Sequence, residues 1–286
     1  RALWPGAVVA CRAFLCSVRP TMSNPDWTKA EDYAWLNLLS RREWAWEFLR
    51  RNPDFQTAWQ SARLEYGIAD YMAQTTMIVS IEETSSLTQW GCLYCSTPEQ
   101  DSREAVVFWL PDLCPSVLRL NAFPLAEKID TLPFVLREMV SRSVLLEMLH
   151  GPQHLLFMEG GRSLQLVIQG ADVTKPVRLM ADGTPDRALA KPQLRCLQCF
   201  NDLRLRGSLH PSHVQRDPLS ARWKLVLRVL DGDLAGASRK EIARHVLSEY
   251  SDDLWHSSDR PLQFRVRRAL ARGYALMRKG YRSLLS

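Results

Sequence analysis

The chain of 286 residues has no run of 18 or more uninterrupted apolar residues, so no segment reads as a membrane-crossing helix. Its seven cysteines are odd in number and irregularly spaced. That pattern speaks against a disulfide framework and for reduced thiols in a cytosol. Internal repeats and low-complexity tracts are missing, which excludes solenoids and biased linkers. A phosphate-cradling glycine loop is missing too, because "MEGGRS" lies between two strand-like runs and reads as a turn. Metal-ligand spacing is poor. Cys92-x-x-Cys95 and Cys196-x-x-Cys199 lie about a hundred residues apart, one pair in apparent strand and the other in apparent helix. Neither pair has the turn that aims two thiolates at one ion, so buried thiols are expected. His210 and His213, in "HPSH", lack a third ligand nearby and read as a surface loop. No cofactor and no metal is expected.

What is present is an ordinary folding composition, 46% apolar and 24% charged, in a chain long enough for two or three compact units. The opening "RALWPGAVVACRAFLC" imitates a signal peptide, but Arg12 breaks the apolar run and no small-residue cleavage site follows. Residues 1–22 are therefore expected to be a leader or a non-native extension, with the first patterned segment starting after Met22. Residues 26–66 read as three short helices. Thr28 with Glu31 and Ser40 with Glu43 fit capping boxes, and Asn52-Pro53 fits a cap followed by a first helical residue. Trp35, Leu38 and Leu39, then Trp44, Phe48 and Leu49, then Phe55, Trp59 and Ala62 give each helix an apolar side. These aromatics read as core.

From about Thr75 to Leu120 the texture is β: "TMIVSI", "QWGCLYC", "AVVFWL" and "VLRL". "LPFVLREMVSRSVLLEML" reads as helix, "HLLFMEGGRSLQLVIQG" as a hairpin, "VRLM" as a further strand and residues 181–192 as loop. The expected fold class is α+β. A helical unit spans 23–74, a mixed middle 75–152, and a hairpin plus helix-turn-helix variant 153–286.

Charge is segregated. From Arg195 to Ser286 there are 18 Lys and Arg against 9 Asp and Glu, whereas the rest has 19 against 22. A local cationic excess of that size attracts polyanions, nucleic acid above all. Three helices succeed one another here: "PLSARWKLVLRVLDG", stopping at Gly232; "SRKEIARHVL", opened by a Ser238–Glu241 capping box, with Ile242, Val246 and Leu247 inward; and "PLQFRVRRALARGYALMRKG". In the last, Leu262, Val266, Ala269, Leu270, Gly273, Leu276 and Met277 form one stripe at 100° per residue. Arg265, Arg268 and Arg272 share one flank, Arg267 lies on the other, and Gln263, Phe264 and Ala271 sit between. Guanidinium and amide groups can pair with base edges while other cations meet phosphates. Gln263, Arg267 and Arg268 are the candidates for bases; Arg239, Lys240, Arg265 and Arg272 are the candidates for phosphates. Ser238 would bring a helix start to the backbone. The thirteen residues "SEYSDDLWHSSDR" are too long for a generic helix-turn-helix joint.

Two segments resemble a known family. "DWTKAEDYAWLNLLSRREWAWEFLRRNPDFQTAW" is similar to the N-terminal transcriptional-regulator-like domain of proteins from integrative and conjugative elements. "LLFMEGGRSLQLVIQGA", "GASRKEIARHVL" and "RVRRALARGYALMRKGYRSLL" resemble the C-terminal helix-turn-helix domain of that family. Their pairing resembles FseA-type excision activators. The resemblance implies a cytoplasmic, nucleoid-associated activator that binds double-stranded promoter DNA of excision and conjugation genes, engages RNA polymerase and is restrained by a small antiactivator resembling its C-terminal domain. It also implies that the long joint is a family trait. An alternative is a protein-interaction module whose basic helix meets an acidic partner. A tyrosine recombinase is a remote third reading, from "HVQR" at His213–Arg216 with Tyr250, Tyr274 or Tyr281. It lacks an upstream arginine box, and no enzyme activity is expected.

Overall fold

Capping side chains decide where the helices begin. Ser40 and Glu43 form a capping box at α1 (Arg41–Leu49), the Glu43 carboxylate accepting from the Ser40 N–H at 2.9 Å. Asn52 opens α2 (Pro53–Ala62), its amide oxygen accepting from the Asp54 N–H at 2.9 Å. Each replaces partners that a first turn leaves its N–H groups without. The computed structural model describes residues 25–63, 66–72, 74–80, 86–125, 133–160, 162–181, 190–209 and 217–286. The whole of the expected leader, Gly161, most of the expected 181–192 loop, "HPSH" and "HVQR" lie outside the described residues.

The expected Thr28–Glu31 box does not form. Thr28 donates its N–H and its hydroxyl to Asp26 Oδ1 at 3.0 and 2.6 Å, because an aspartate reaches the backbone two residues on more readily than a glutamate reaches back. The first helix is accordingly a 3-10 helix, Glu31–Leu38, rather than an α-helix. Its buried residues are Tyr33 and Leu36, and the cap residue Leu39 continues the spacing of three, while Leu38 is exposed and Trp35 half-buried. At three residues per turn, positions i and i+3 eclipse, so of the expected Trp35, Leu38 and Leu39 only Leu39 is fully buried, and Tyr33 and Leu36 take the other inward places.

Among the described residues nine strands come next: β1 (Tyr66–Met72), β2 (Thr75–Ser80), β3 (Cys92–Cys95), β4 (Val107–Trp109), β5 (Leu118–Pro124), β6 (Arg142–Glu147), β7 (Gln153–Glu159), β8 (Arg162–Gly170) and β9 (Val177–Ala181). Seven make a mixed sheet in the order β1-β2-β6-β7-β8-β5-β9, and β3 pairs with β4 apart from it. The hairpin expected around "MEGG" is the antiparallel β7–β8 pair. The helix expected over "LPFVLREMVSRSVLLEML" is overturned: only Leu136–Glu138 makes a single 3-10 turn, and "RSVLLE" is β6, parallel to β2 and antiparallel to β7. A strand buried on both faces reads as a continuous apolar run, which periodicity cannot tell from a helix segment.

The two faces of the sheet feed separate cores. Leu145, Leu155, Leu166 and Ile168 pack on α3 (Ala190–Arg206) through Cys199, Phe200 and Leu203. Val144, Leu146, Leu156 and Val167 join a larger core that includes α1, α2 and the C-terminal helices α4 (Ser220–Leu234), α5 (Arg239–Val246), α6 (Asp252–His256) and α7 (Pro261–Arg278). The N-terminal and C-terminal helices therefore bury one another. Phe48 meets Trp223 edge to face at 6.5 Å between centroids, Trp44 Nε1 donates to Ser220 Oγ at 3.2 Å, and Asn52 Nδ2 donates to Met277 O at 3.2 Å.

Two positions in the sheet make measurable demands. Gly170 has φ +99°, and a Cβ there would lie 2.4 Å from the Ala122 carbonyl oxygen on the neighbouring strand. Gly170→Ala should therefore destabilise the chain by about 2 kcal/mol, since both the backbone conformation and the clash oppose a side chain. A urea midpoint equal to the parent's would mean that β5 yields without cost.

His154 is buried beside Phe108, with its Nδ1 lacking a partner among the described residues. Burial, and secondarily the Arg119 charge, push it down to about 4. The unfolded chain takes up that proton near pH 6.5 and the folded chain does not, so stability is complete above pH 6.5 and falls as pH drops towards 4. Over that window the loss should be about 3 kcal/mol. Denaturant unfolding at stepped pH checks it, and His154→Phe should flatten this part of the profile.

Candidate nucleic-acid interface

Pro261 enters α7 at the first helical position, where a missing N–H costs nothing. The preceding Arg260 is at φ 47°, the left-handed region, among the described residues the one non-glycine there. The buried residues of α7 are Leu262, Val266, Ala269, Leu270, Gly273, Leu276 and Met277, the stripe drawn from the sequence. Gly273 lets the helix lie close on α4, since a Cβ would meet that of Leu230 at 3.1 Å.

Gly232 does not stop α4, as expected, but lies inside it: the helix runs to Leu234, and the positive φ comes at Gly236. A Cβ at Gly232 would touch Ile242 Cγ1 at 3.0 Å and Trp27 at 3.1 Å, so this glycine serves the contact between α4, α5 and the N-terminal segment. Ser238 and Glu241 do form their capping box at α5, with the Ser238 N–H donating to Glu241 at 2.8 Å. The long joint to α7 carries the single-turn helix α6.

The proposed contact residues fall into two groups. Arg239, Arg267 and Arg268 are exposed and make no ion pair among the described residues. The others hold intramolecular partners. Lys240 Nζ lies 2.9 Å from Asp252 Oδ1. That ammonium, then the Tyr250 hydroxyl, hold the Asp252 carboxyl below its usual range. Arg265 pairs with Glu249, the Gln263 amide donates to the Trp255 carbonyl at 3.0 Å, and the Arg272 guanidinium lies over the Trp223 ring at 5.3 Å. All these partners lie on α4, on α6 or in the joint, so the joint supplies one acid, Glu249, to the Arg265 flank of α7 and another, Asp252, to Lys240 on α5.

Sequence reasoning missed Arg278 and Lys279. Both are exposed, and Arg278 lies over the Tyr274 ring at 5.8 Å. At 100° per residue Arg278 falls beside Arg267, and Lys279 beside Arg268. The outward face thus has a centre of Phe264, Ala271 and Ala275, with a pair of cations on each border. The signal was legible in the i, i+11 spacing, but these residues read as the end of the helix rather than as part of its face. Phe264 is 52% exposed.

The three tyrosines of the recombinase reading are all engaged. Tyr250 donates to Asp252 Oδ1 at 2.9 Å, Tyr274 to Asp233 Oδ2 at 2.6 Å, and buried Tyr281 to the Trp90 carbonyl at 2.8 Å. The Asp233 hydrogen bond pushes the Tyr274 phenol up, the wrong direction for a nucleophile. Cys92 and Cys95 are buried in β3, and burial pushes both thiols up. Among the described residues no group of three His, Cys, Asp or Glu could hold a metal, and no helix is long and apolar enough to cross a membrane.

Residues 26–91 match the family model described as a proteobacterial transcriptional regulator-like domain. Residues 185–286, which include α3 to α7, match the one described as a T6SS transcription factor, DNA binding domain. No curated protein matches the chain.

Proposed function

We propose that the chain is a DNA-binding transcription regulator and that α7 presents its outward face to the major groove of double-stranded promoter DNA. The observation that carries this reading is the separation on α7, whose aliphatic side is buried while Arg267 and Arg268 stand exposed and without an ion pair among the described residues. An exposed guanidinium suits a guanine edge, donating paired hydrogen bonds to its O6 and N7. Arg267 and Arg268 are the base readers. Arg239 and Lys279 contact phosphates without rearrangement, whereas Lys240, Arg265 and Arg272 must exchange a protein partner for a phosphate. Gln263 reads a base only after releasing the Trp255 carbonyl, and Ser238 contributes a capped helix start near the backbone. The match of residues 185–286 to a DNA binding domain supports the reading.

The genes controlled are a finer matter. The paired sequence resemblance favours excision and conjugation genes of an integrative element, with RNA polymerase and a small antiactivator as protein partners. The C-terminal match carries the description of a type VI secretion regulator. Footprinting the full chain on upstream regions of both gene classes separates the two.

Phe264, exposed amid cations, favours one second reading: an acidic, partly apolar protein partner on the same face. Salt distinguishes them. DNA affinity should fall with a log–log slope of about −0.9 per phosphate neutralised, measured by anisotropy on promoter and unrelated duplexes. A flat salt response, or no preference between duplexes, would remove promoter recognition from α7.

A further inference from the structure

Trp223, in the first turn of α4, is 3% exposed and held in place from two sides. Phe48 meets it edge to face, and its Nε1 donates to Asp217 Oδ2 at 3.2 Å. Two cations from different helices gather at this indole. The guanidinium carbon of Arg222, its neighbour on α4, lies 5.8 Å from the ring centroid, and that of Arg272 on α7 lies 5.3 Å from it. Both arginines are exposed, and neither makes an ion pair among the described residues. The buried carboxylate of Asp217 serves other groups: Oδ1 accepts from the Leu219 N–H at 2.7 Å, Oδ2 accepts from the indole, and Arg41 Nε stands 3.9 Å away.

Close packing of the two helices brings these cations together. A Cβ on Gly273 would lie 3.1 Å from Leu230 Cβ and 3.5 Å from Val226 Cγ1, so α7 runs against α4 one turn beyond Arg222. Arg268 precedes Arg272 by one turn on the same flank. Arg268, Arg272 and Arg222 therefore form one row of cations that crosses from α7 to the start of α4. Lys240 and Arg265 each have a carboxylate. This row has a ring, which attracts cations through its face but carries no net charge, so the repulsion between Arg222 and Arg272 is left for an outside anion to relieve.

We propose that Arg222 contacts a DNA backbone phosphate beside the one assigned to Arg272, so that the start of α4 shares the interface with α7. The inference rests on the reading of α7 as the groove-facing helix and extends it to a second element. When one helix lies in the major groove, the helix packed behind it crosses the backbone at the groove's edge. A guanidinium fork there matches phosphate oxygens. Such a contact fixes register and orientation and carries no sequence preference.

Anisotropy of the full chain on a labelled duplex of random sequence, at stepped salt, tests it. Arg222→Ala should make the log–log salt slope shallower by about 0.9, so that a fourfold rise in salt shrinks the parent's advantage about threefold. Arg272→Ala should do the same, and the two together about twice as much. Arg222→Lys keeps the charge and should restore the parent slope. Arg137→Ala removes an exposed cation from the 3-10 turn Leu136–Glu138 and should leave the slope unchanged. A slope that responds to Arg272→Ala but not to Arg222→Ala would overturn the contact from α4 and leave α7 in place. An equal response to Arg137→Ala would overturn it as an effect of net charge alone, and so would an Arg222→Lys slope as shallow as that of alanine. Failure of the parent to bind duplex at all would remove the reading of α7, and this contact with it.

Discussion

Asp231→Ala should destabilise the folded chain by about 3–5 kcal/mol, the range for removing one partner of a buried ion pair. Asp231 accepts from Arg51 Nε and from its Nη2 at 2.9 Å, and from the Tyr33 hydroxyl at 2.6 Å. Arg51 is buried, and its Nη1 continues to Glu47 at 2.8 Å, which also accepts from buried Arg50 at 2.8 Å. Removing Asp231 leaves a guanidinium in the core with one carboxylate to share between two arginines. Equilibrium unfolding in urea measures the loss. Asp231→Asn, which keeps the shape and one acceptor, should fall between parent and alanine. A change under 1 kcal/mol for Asp231→Ala would mean that water replaces the carboxylate, and the network would then not join α4 to the N-terminal helices.

The same network sets an acid limit. Burial alone would raise the Glu47 carboxyl, but Arg50 and Arg51 outweigh it and hold the group down to about 2. The contribution is complete above the ordinary glutamate range, near pH 4.3, and disappears as pH falls towards 2. It therefore begins to fail where the His154 contribution is nearly spent.

The reach of sequence reasoning tracks the range of the interactions. The buried stripe of α7 was readable because one helix repeats its own period, and Ser40, Asn52 and Ser238 were readable because a cap acts over three residues. The strand β6 was not, since Val144 to Leu146 are buried on both faces and carry no alternation. The helix α1 was readable from its Ser40 cap, but its burial on every side from Glu43 to Leu49 was not. Its Glu47 looks like an exposed residue until Arg50, Arg51 and the Ser102 N–H are brought around it. For the proposed DNA face, the period of the apolar stripe showed which side of α7 points out. It could not identify which cations there are already paired, because Glu249 and Asp252 come from the joint and Trp223 from another helix.

That distinction governs the last prediction. Arg267→Ala combined with Arg268→Ala should reduce affinity for a specific promoter site by roughly two to four orders of magnitude, at about 1–3 kcal/mol for each base-reading side chain. Both residues are exposed and make no ion pair among the described residues, so the folded chain should lose no more than about 0.5 kcal/mol, and unfolding curves separate a lost contact from a lost fold. Non-specific duplex should be affected far less, because only a phosphate-type contribution is removed there. The paired cations give the opposite sign. Glu249→Gln frees Arg265, and Asp252→Asn frees Lys240, so each should strengthen binding to any duplex, most visibly at low salt where charges are least screened. If the double arginine variant bound promoter as tightly as the parent while those two substitutions tightened binding, the polyanion would be meeting the Arg265 flank, and Arg267 and Arg268 would face away from the groove.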